Sequence, residues 1–170
     1  MPDKKLTLLV EQLALLLVKA NKKITVAESC TGGWVAKVLT DLAGSSDWFD
    51  RGFVTYSNQA KHEMLGVSEI TLQTHGAVSQ ETVSEMAIGA LNNSHADFSL
   101  SVSGIAGPGG GSTDKPVGLV WFAWAVKDNN TIKTLAYNKQ IFEGDRESIR
   151  IQSVEYVLTE IIKCIEKMAS

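Results

Sequence analysis

Ile24-Thr25-Val26-Ala27-Glu28-Ser29-Cys30-Thr31-Gly32-Gly33, residues 24–33, decides how the chain is read. Ile24 to Ala27 is a short apolar run with β-branched character, the mark of a buried strand. Two glycines then break it, and Val35, Val38, Leu39 and Leu42 follow at helical spacing. A strand that turns through Gly-Gly into a helix is the start of an α/β unit, and ligands in such sheets bind at the strand ends.

Working outward, Leu6, Leu9, Leu13, Leu16 and Ala20 recur at helical intervals. Leu8, Leu15 and Leu17 widen that stripe, which predicts a first helix with a broad buried face. Gly52 to Tyr56 is a second strand, and Asn58 to Leu65 a short helix stopped by Gly66. Val67 to His75 reads as irregular. Ser79 is a suitable N-cap, with Glu81 in the first turn of a helix that runs to about Leu91. Phe98 to Val102 is a third strand. Val117–Val126 and Thr131–Phe142 pair as a hairpin over Asp128-Asn129-Asn130. Asp145 caps a long last helix that turns Ile149, Val154, Leu158, Ile161 and Ile165 inward. The expected fold is α/β: a single three-layer α/β/α domain over residues 1–170, with a mixed sheet.

Composition excludes several classes. Nineteen acidic residues against 16 basic ones leave no footprint for nucleic acid. Two cysteines, Cys30 and Cys164, are too few for a disulfide framework, and His62, His75 and His95 are too scattered for a metal centre. The apolar run from Leu6 to Val18 is too short and too interrupted to span a bilayer, and Lys19 to Lys23 follow it where a signal peptide needs a cleavage site. No membrane contact is expected, and the cytoplasm is the expected location.

Three stretches carry possible chemistry. Ser29 stands where the strand gives way to the helix, beside N–H groups with no helical partner that can hold an oxyanion. Gly32 and Gly33 allow close approach to the backbone. Equally, Ser29 or Thr31 could do no more than cap the helix. Gly104 to Gly111 follows the third strand and could cradle an anion, or be a plain turn. It is neither a Walker loop, lacking Gly-Lys-Ser/Thr, nor a dinucleotide fingerprint, because a strand follows it. Lys61, one turn into its helix, is an ordinary surface charge unless Ser29 lies close; buried, a lysine can lose its proton near neutrality and act as a base. Arg146 and Arg150, one turn apart, could grip a phosphate or lie on the surface. Cys30 is a rival nucleophile.

Together these stretches resemble the CinA C-terminal domain family, the nicotinamide mononucleotide amidohydrolases. The resemblance rests on Ala27-Glu28-Ser29-Cys30-Thr31-Gly32-Gly33, Gly52 to Asn58 with Lys61, Gly76-Ala77-Val78-Ser79, Ser103 to Gly110, Gly118-Leu119-Val120, and Gly144-Asp145-Arg146 with Arg150. Ser103 stands where many relatives carry threonine. The resemblance implies hydrolysis of the carboxamide of nicotinamide mononucleotide, with Ser29 as nucleophile, Lys61 as its base and Tyr56 as a hydrogen-bonding partner of that pair. It further implies contacts to the pyridine nucleotide from Cys30, Thr31, Gly32, Gly33, Ser103, Gly104, Ala106, Gly107 and Arg146. No metal or other cofactor is implied, a homodimer is, and the length suggests the stand-alone form. A nucleotide-binding module without catalysis is the rival expectation.

Overall fold

The computed structural model describes residues 3–170. Its elements run α1 (Lys4–Ala20), β1 (Ile24–Glu28), α2 (Trp34–Thr40), a 3-10 turn (Ser45–Asp47), β2 (Phe49–Val54), α3 (Asn58–Leu65), α4 (Glu69–His75), α5 (Gln80–Asn92), β3 (Phe98–Gly104), β4 (Leu119–Asp128), β5 (Thr131–Ile141) and α6 (Arg146–Ala169). One sheet of order β2-β1-β3-β4-β5 joins them. β1 pairs in parallel with β2 and β3, whereas β3–β4 and β4–β5 are antiparallel. The mixed sheet follows from the chain: helical crossovers join the first three strands, and a hairpin joins the last two.

Helices cover both faces. α1, α2 and α6 bury Leu13, Leu17, Val35, Leu39, Val154 and Leu158 on one side. α3, α4 and α5 bury Leu65, Leu72, Val83 and Met86 on the other. β4 shows the alternation that such a sandwiched strand needs. Phe122 and Trp124 point into the first core, Ala123 and Ala125 into the second. Trp124 also donates its Nε1–H to the Val157 carbonyl at 3.1 Å, which satisfies its polar atom inside the core.

Several helix starts are set by local side chains. Asp3 accepts from the Lys5 and Leu6 N–H groups, Ser57 from Ala60, Ser79 from Thr82 and Asp145 from Ser148. Two expectations fail. The stretch expected to be irregular, Val67 to His75, contains α4, capped by Ser68 with Glu69 in its first turn. Its single buried residue, Leu72, gives too little apolar periodicity to announce a helix. On α1, Leu8 and Leu15 do not widen the buried face; they are 59% and 73% exposed. A helix lying on a flat sheet buries one stripe, and the seven leucines of α1 cannot all face it.

The chain passes from β1 to β2 on one side, then crosses to β3 on the other. The C-terminal end of β1 is therefore the switch point of the parallel strands, the crevice where open α/β sheets hold their ligands.

Candidate active site

Ser29 is the first residue beyond β1, and its N–H donates to the Val102 carbonyl of β3 at 3.0 Å. Beyond β2, the Thr55 N–H donates to the Glu28 carbonyl at 2.8 Å, which draws Thr55 and Tyr56 alongside Ser29. Ser57 then caps α3 and turns Lys61 back toward the strand ends. The result is a buried amine, 1% exposed, with Nζ 3.0 Å from Ser29 Oγ. The same Nζ donates to the carbonyls of Thr55 at 2.9 Å and Tyr56 at 3.0 Å.

This geometry has a chemical consequence. A neutral amine has two hydrogens and one lone pair, so two carbonyls take the hydrogens and the lone pair faces the serine hydroxyl. Burial brings the neutral amine within reach, because desolvation lowers the Lys61 pKa from 10.5 to about 8. Cys30 moves the opposite way. Burial raises its thiol from 9.0 to about 11, so the neighbour of Ser29 stays protonated and is a poor nucleophile.

Around the pair, the loop 29–33 is held from both sides. Glu28, wholly buried, accepts from the N–H groups of Val35 at 2.9 Å and Ala36 at 3.0 Å through its two carboxylate oxygens. Neither Ser29 nor Thr31 caps α2: its N-cap is Gly33, in the left-handed conformation at φ 98°, with no side chain to offer. Arg150 donates to the carbonyls of Cys30 at 3.0 Å and Thr31 at 3.1 Å, and lies over the Trp34 ring. It braces the loop 29–33, so neither reading left open for it in the sequence, a phosphate grip shared with Arg146 or a free surface charge, describes its contacts. Thr31 Oγ1 is the one buried side-chain polar atom without a partner among the described residues.

Arg146, by contrast, is exposed, and donates to the Gly107 carbonyl at 2.7 Å and to the Tyr56 hydroxyl at 3.3 Å. Tyr56 thus reaches the buried pair through its backbone carbonyl, while its phenol, on a side chain 62% exposed, turns toward Arg146. Gly107 lies at φ 77°, before Pro108 in a cis peptide bond. Gly104 is required by packing, since a Cβ there would come within 2.6 Å of the Val120 side chain. Ser103 and Ala106 are buried at the end of β3 and in the loop after it.

Ser29, Lys61, Tyr56 and Arg146, read from three separate stretches, therefore sit at one end of the sheet. Glu28 and the bracing role of Arg150 escaped sequence reading. The spacing Glu28 to Val35 is no capping box, and a glutamate before a serine has no local signature. Among the described residues, no three His, Cys, Asp or Glu side chains gather as a metal site. No helix of the described residues is long and apolar enough to cross a membrane.

The family model described as the CinA C-terminal domain matches residues 6–165. The chain belongs to that family. It is 55% identical, over 158 residues, to the Escherichia coli (strain K12) protein named nicotinamide-nucleotide amidohydrolase PncC, covering 93% of each chain. To the Pseudomonas putida protein of the same name it is 45% identical, over 93% of this chain and 96% of that one. Among solved structures, the competence/damage inducible protein CihA from Agrobacterium tumefaciens superposes with a TM-score of 0.90 at 42% identity, covering 96% of this chain and 98% of that one. The α/β architecture with its mixed sheet is the architecture of this family.

Proposed function

We propose that this protein hydrolyses the carboxamide of nicotinamide mononucleotide to nicotinic acid mononucleotide and ammonia, with Ser29 as nucleophile and Lys61 as general base. The observation that carries this reading is the buried Lys61–Ser29 contact of 3.0 Å at the switch point of the sheet. The names of the relatives support the reaction, and the geometry supports the roles.

Neutral Lys61 takes the Ser29 proton as Oγ attacks the amide carbon, and the carbonyl π electrons move to oxygen. Backbone N–H groups of the loop from Cys30 to Gly33 stabilise that oxyanion; loss of one such donor costs about 3 kcal/mol of barrier. Within the loop, the N–H groups of Ser29, Gly32 and Trp34 are spent on Val102, Ser29 and Thr31 carbonyls, whereas those of Thr31 and Gly33 have no acceptor among the described residues. The tetrahedral centre collapses, the C–N bond breaks, and Lys61 hands its proton to the departing ammonia. Water, losing a proton to Lys61, then attacks the acyl ester; Ser29 recovers that proton and the nicotinate carboxylate leaves. The positive ring nitrogen of the substrate draws electrons from the carbonyl and eases the first attack.

Arg146 is the phosphate-binding side chain in this reading. It keeps guanidinium donors beyond the bonds to Gly107 and Tyr56, and it stands where Gly104 to Gly107 and Tyr56 border the strand ends. In this reading Thr31, Gly32, Gly33, Ser103 and Ala106, at the ends of β1 and β3, border the nucleotide as well. One domain, residues 1–170, carries the activity in the cytoplasm. A homodimer completes the reading, supported by Leu8, Leu15 and Val18, which α1 leaves exposed for a second copy to cover.

The test is ammonia release from nicotinamide mononucleotide by wild type and by Ser29→Ala. The wild type turns over, and the variant stays folded without turnover. Tight binding of the nucleotide by wild type with no ammonia over hours would mark a binding module instead.

A further inference from the structure

A helix that begins at Trp34 needs acceptors for its first N–H groups, and the hydroxyls nearest in sequence belong to Thr31 and Ser29. Either could supply them, and the nucleophile would then be spent as a cap. The chain instead reaches back to Glu28. Its Oε1 accepts from Val35 and its Oε2 from Ala36, so both oxygens are used, and no basic side chain pairs with it among the described residues. The hydroxyls this spares are the two that matter locally: Ser29 Oγ faces Lys61, and Thr31 Oγ1 has no partner.

The same residue governs the second half of the site. The Glu28 carbonyl accepts the Thr55 N–H at 2.8 Å, and Thr55 and Tyr56 hold the Lys61 amine through their own carbonyls. The loop 29–33 is thereby closed into a ring between β1 and the first turn of α2, with Arg150 bracing its carbonyls from outside. A ring fixed at both ends sets the direction of Ser29 Oγ and of the free loop N–H groups together.

We propose that Glu28 is a positioning residue for the nucleophile: by capping α2 across the loop, it keeps Ser29 aimed at Lys61 and the loop N–H groups aimed at the reacting carbonyl. This rests on Ser29 being the nucleophile. Glu28 touches neither substrate nor the reacting atoms. It acts through the loop alone.

Glu28→Gln tests this. The amide keeps size and one acceptor, but its NH₂ now meets a backbone N–H, so the loop relaxes and a loop hydroxyl is drawn in to cap α2. Two readouts are taken: turnover of nicotinamide mononucleotide, and the rate at which a small sulfonyl fluoride modifies Ser29, followed by intact mass. Both fall together by roughly 10- to 100-fold, the cost of misplacing reacting groups by about an ångström. KM stays within about twofold, and the pH midpoint set by Lys61 does not move. Glu28→Asp, which keeps the charge but is one methylene too short to reach both N–H groups, gives the same pattern.

Losses under about twofold, a loss carried by KM, or a moved pH midpoint would overturn the proposal. So would failure of both variants to fold, since Glu28 would then be needed for the fold and not for aim. If wild type labels at Ser29 and Glu28→Gln slows that labelling, but no ammonia appears, the positioning role stands and the amidase reading falls. If wild-type Ser29 does not react at all, both fall.

Discussion

Lys61 Nζ lies 3.0 Å from Ser29 Oγ although 32 residues separate them, and the backbone carbonyls of Thr55 and Tyr56 fix the amine between them. Because the amine is buried, its neutral form is within reach at physiological pH. That relationship generates most of what can be measured on this protein.

The pH dependence of activity follows from the proposed role of Lys61 as base. With Lys61 titrating at about 8, kcat/KM rises tenfold per pH unit below that value and levels off above it. Lys61→Met removes the limb and lowers turnover by roughly 100-fold or more, within the range of general-base effects. Initial rates between pH 6 and 10 check this, and a profile flat through 8 would remove Lys61 as the base.

Stability carries the same signature with two opposed contributions. Between pH 8 and 10.5 the unfolded chain holds a proton on Lys61 that the native state lacks, so stability rises with pH. Between 9 and 11 native Cys30 keeps a proton that the unfolded thiol has lost, so stability falls. Urea unfolding should therefore show a gain from pH 8 to 9, with a slope of up to about 1.4 kcal/mol per unit, then near cancellation to 10.5. In Cys30→Ala the gain continues to about 10.5, and in Lys61→Met it is absent.

Thr31→Val separates structure from function at the loop. The hydroxyl is buried and unpartnered, and such a group costs roughly 1–3 kcal/mol, so its removal leaves the melting temperature unchanged or higher. Turnover falls about tenfold if the hydroxyl meets substrate, as one lost hydrogen bond of about 1.4 kcal/mol requires. A lowered melting temperature would show that the hydroxyl has a partner within the fold.

Arg146 and Tyr56 should divide by KM and kcat. Arg146→Gln loses the proposed phosphate contact and raises KM by roughly 10-fold or more, with kcat held within a few-fold. Tyr56→Phe keeps the carbonyl that holds Lys61 and loses only the phenol's bond with Arg146, so its effect on KM is smaller. Steady-state kinetics on both variants measure the division; a large kcat loss in Tyr56→Phe would put the phenol in the chemistry.

Much of the fold is legible along the chain because its signals are local. The apolar run from Ile24, the Asn129-Asn130 turn, and the caps Ser79 and Asp145 each act within a few residues of where they stand. α4 was not legible, since one buried leucine sets no period, and the face of α1 was not, since its leucines outnumber the positions the sheet can cover. At the site, Ser29 and Lys61 show in the sequence as residue types at two strand ends, while the cap role expected of Ser29 or Thr31 passes to Glu28.

The sequence by itself determined the α/β class, the strand ends on which chemistry can sit, and the residues available there. Tertiary structure decided how those residues are used. Parallel pairing of β1 with β2 brought Lys61 onto Ser29, and burial lowered that lysine's pKa while raising that of the Cys30 thiol. The reason is physical: propensity and capping act over a few residues, but desolvation and hydrogen bonding between distant segments exist only once the sheet has closed around them.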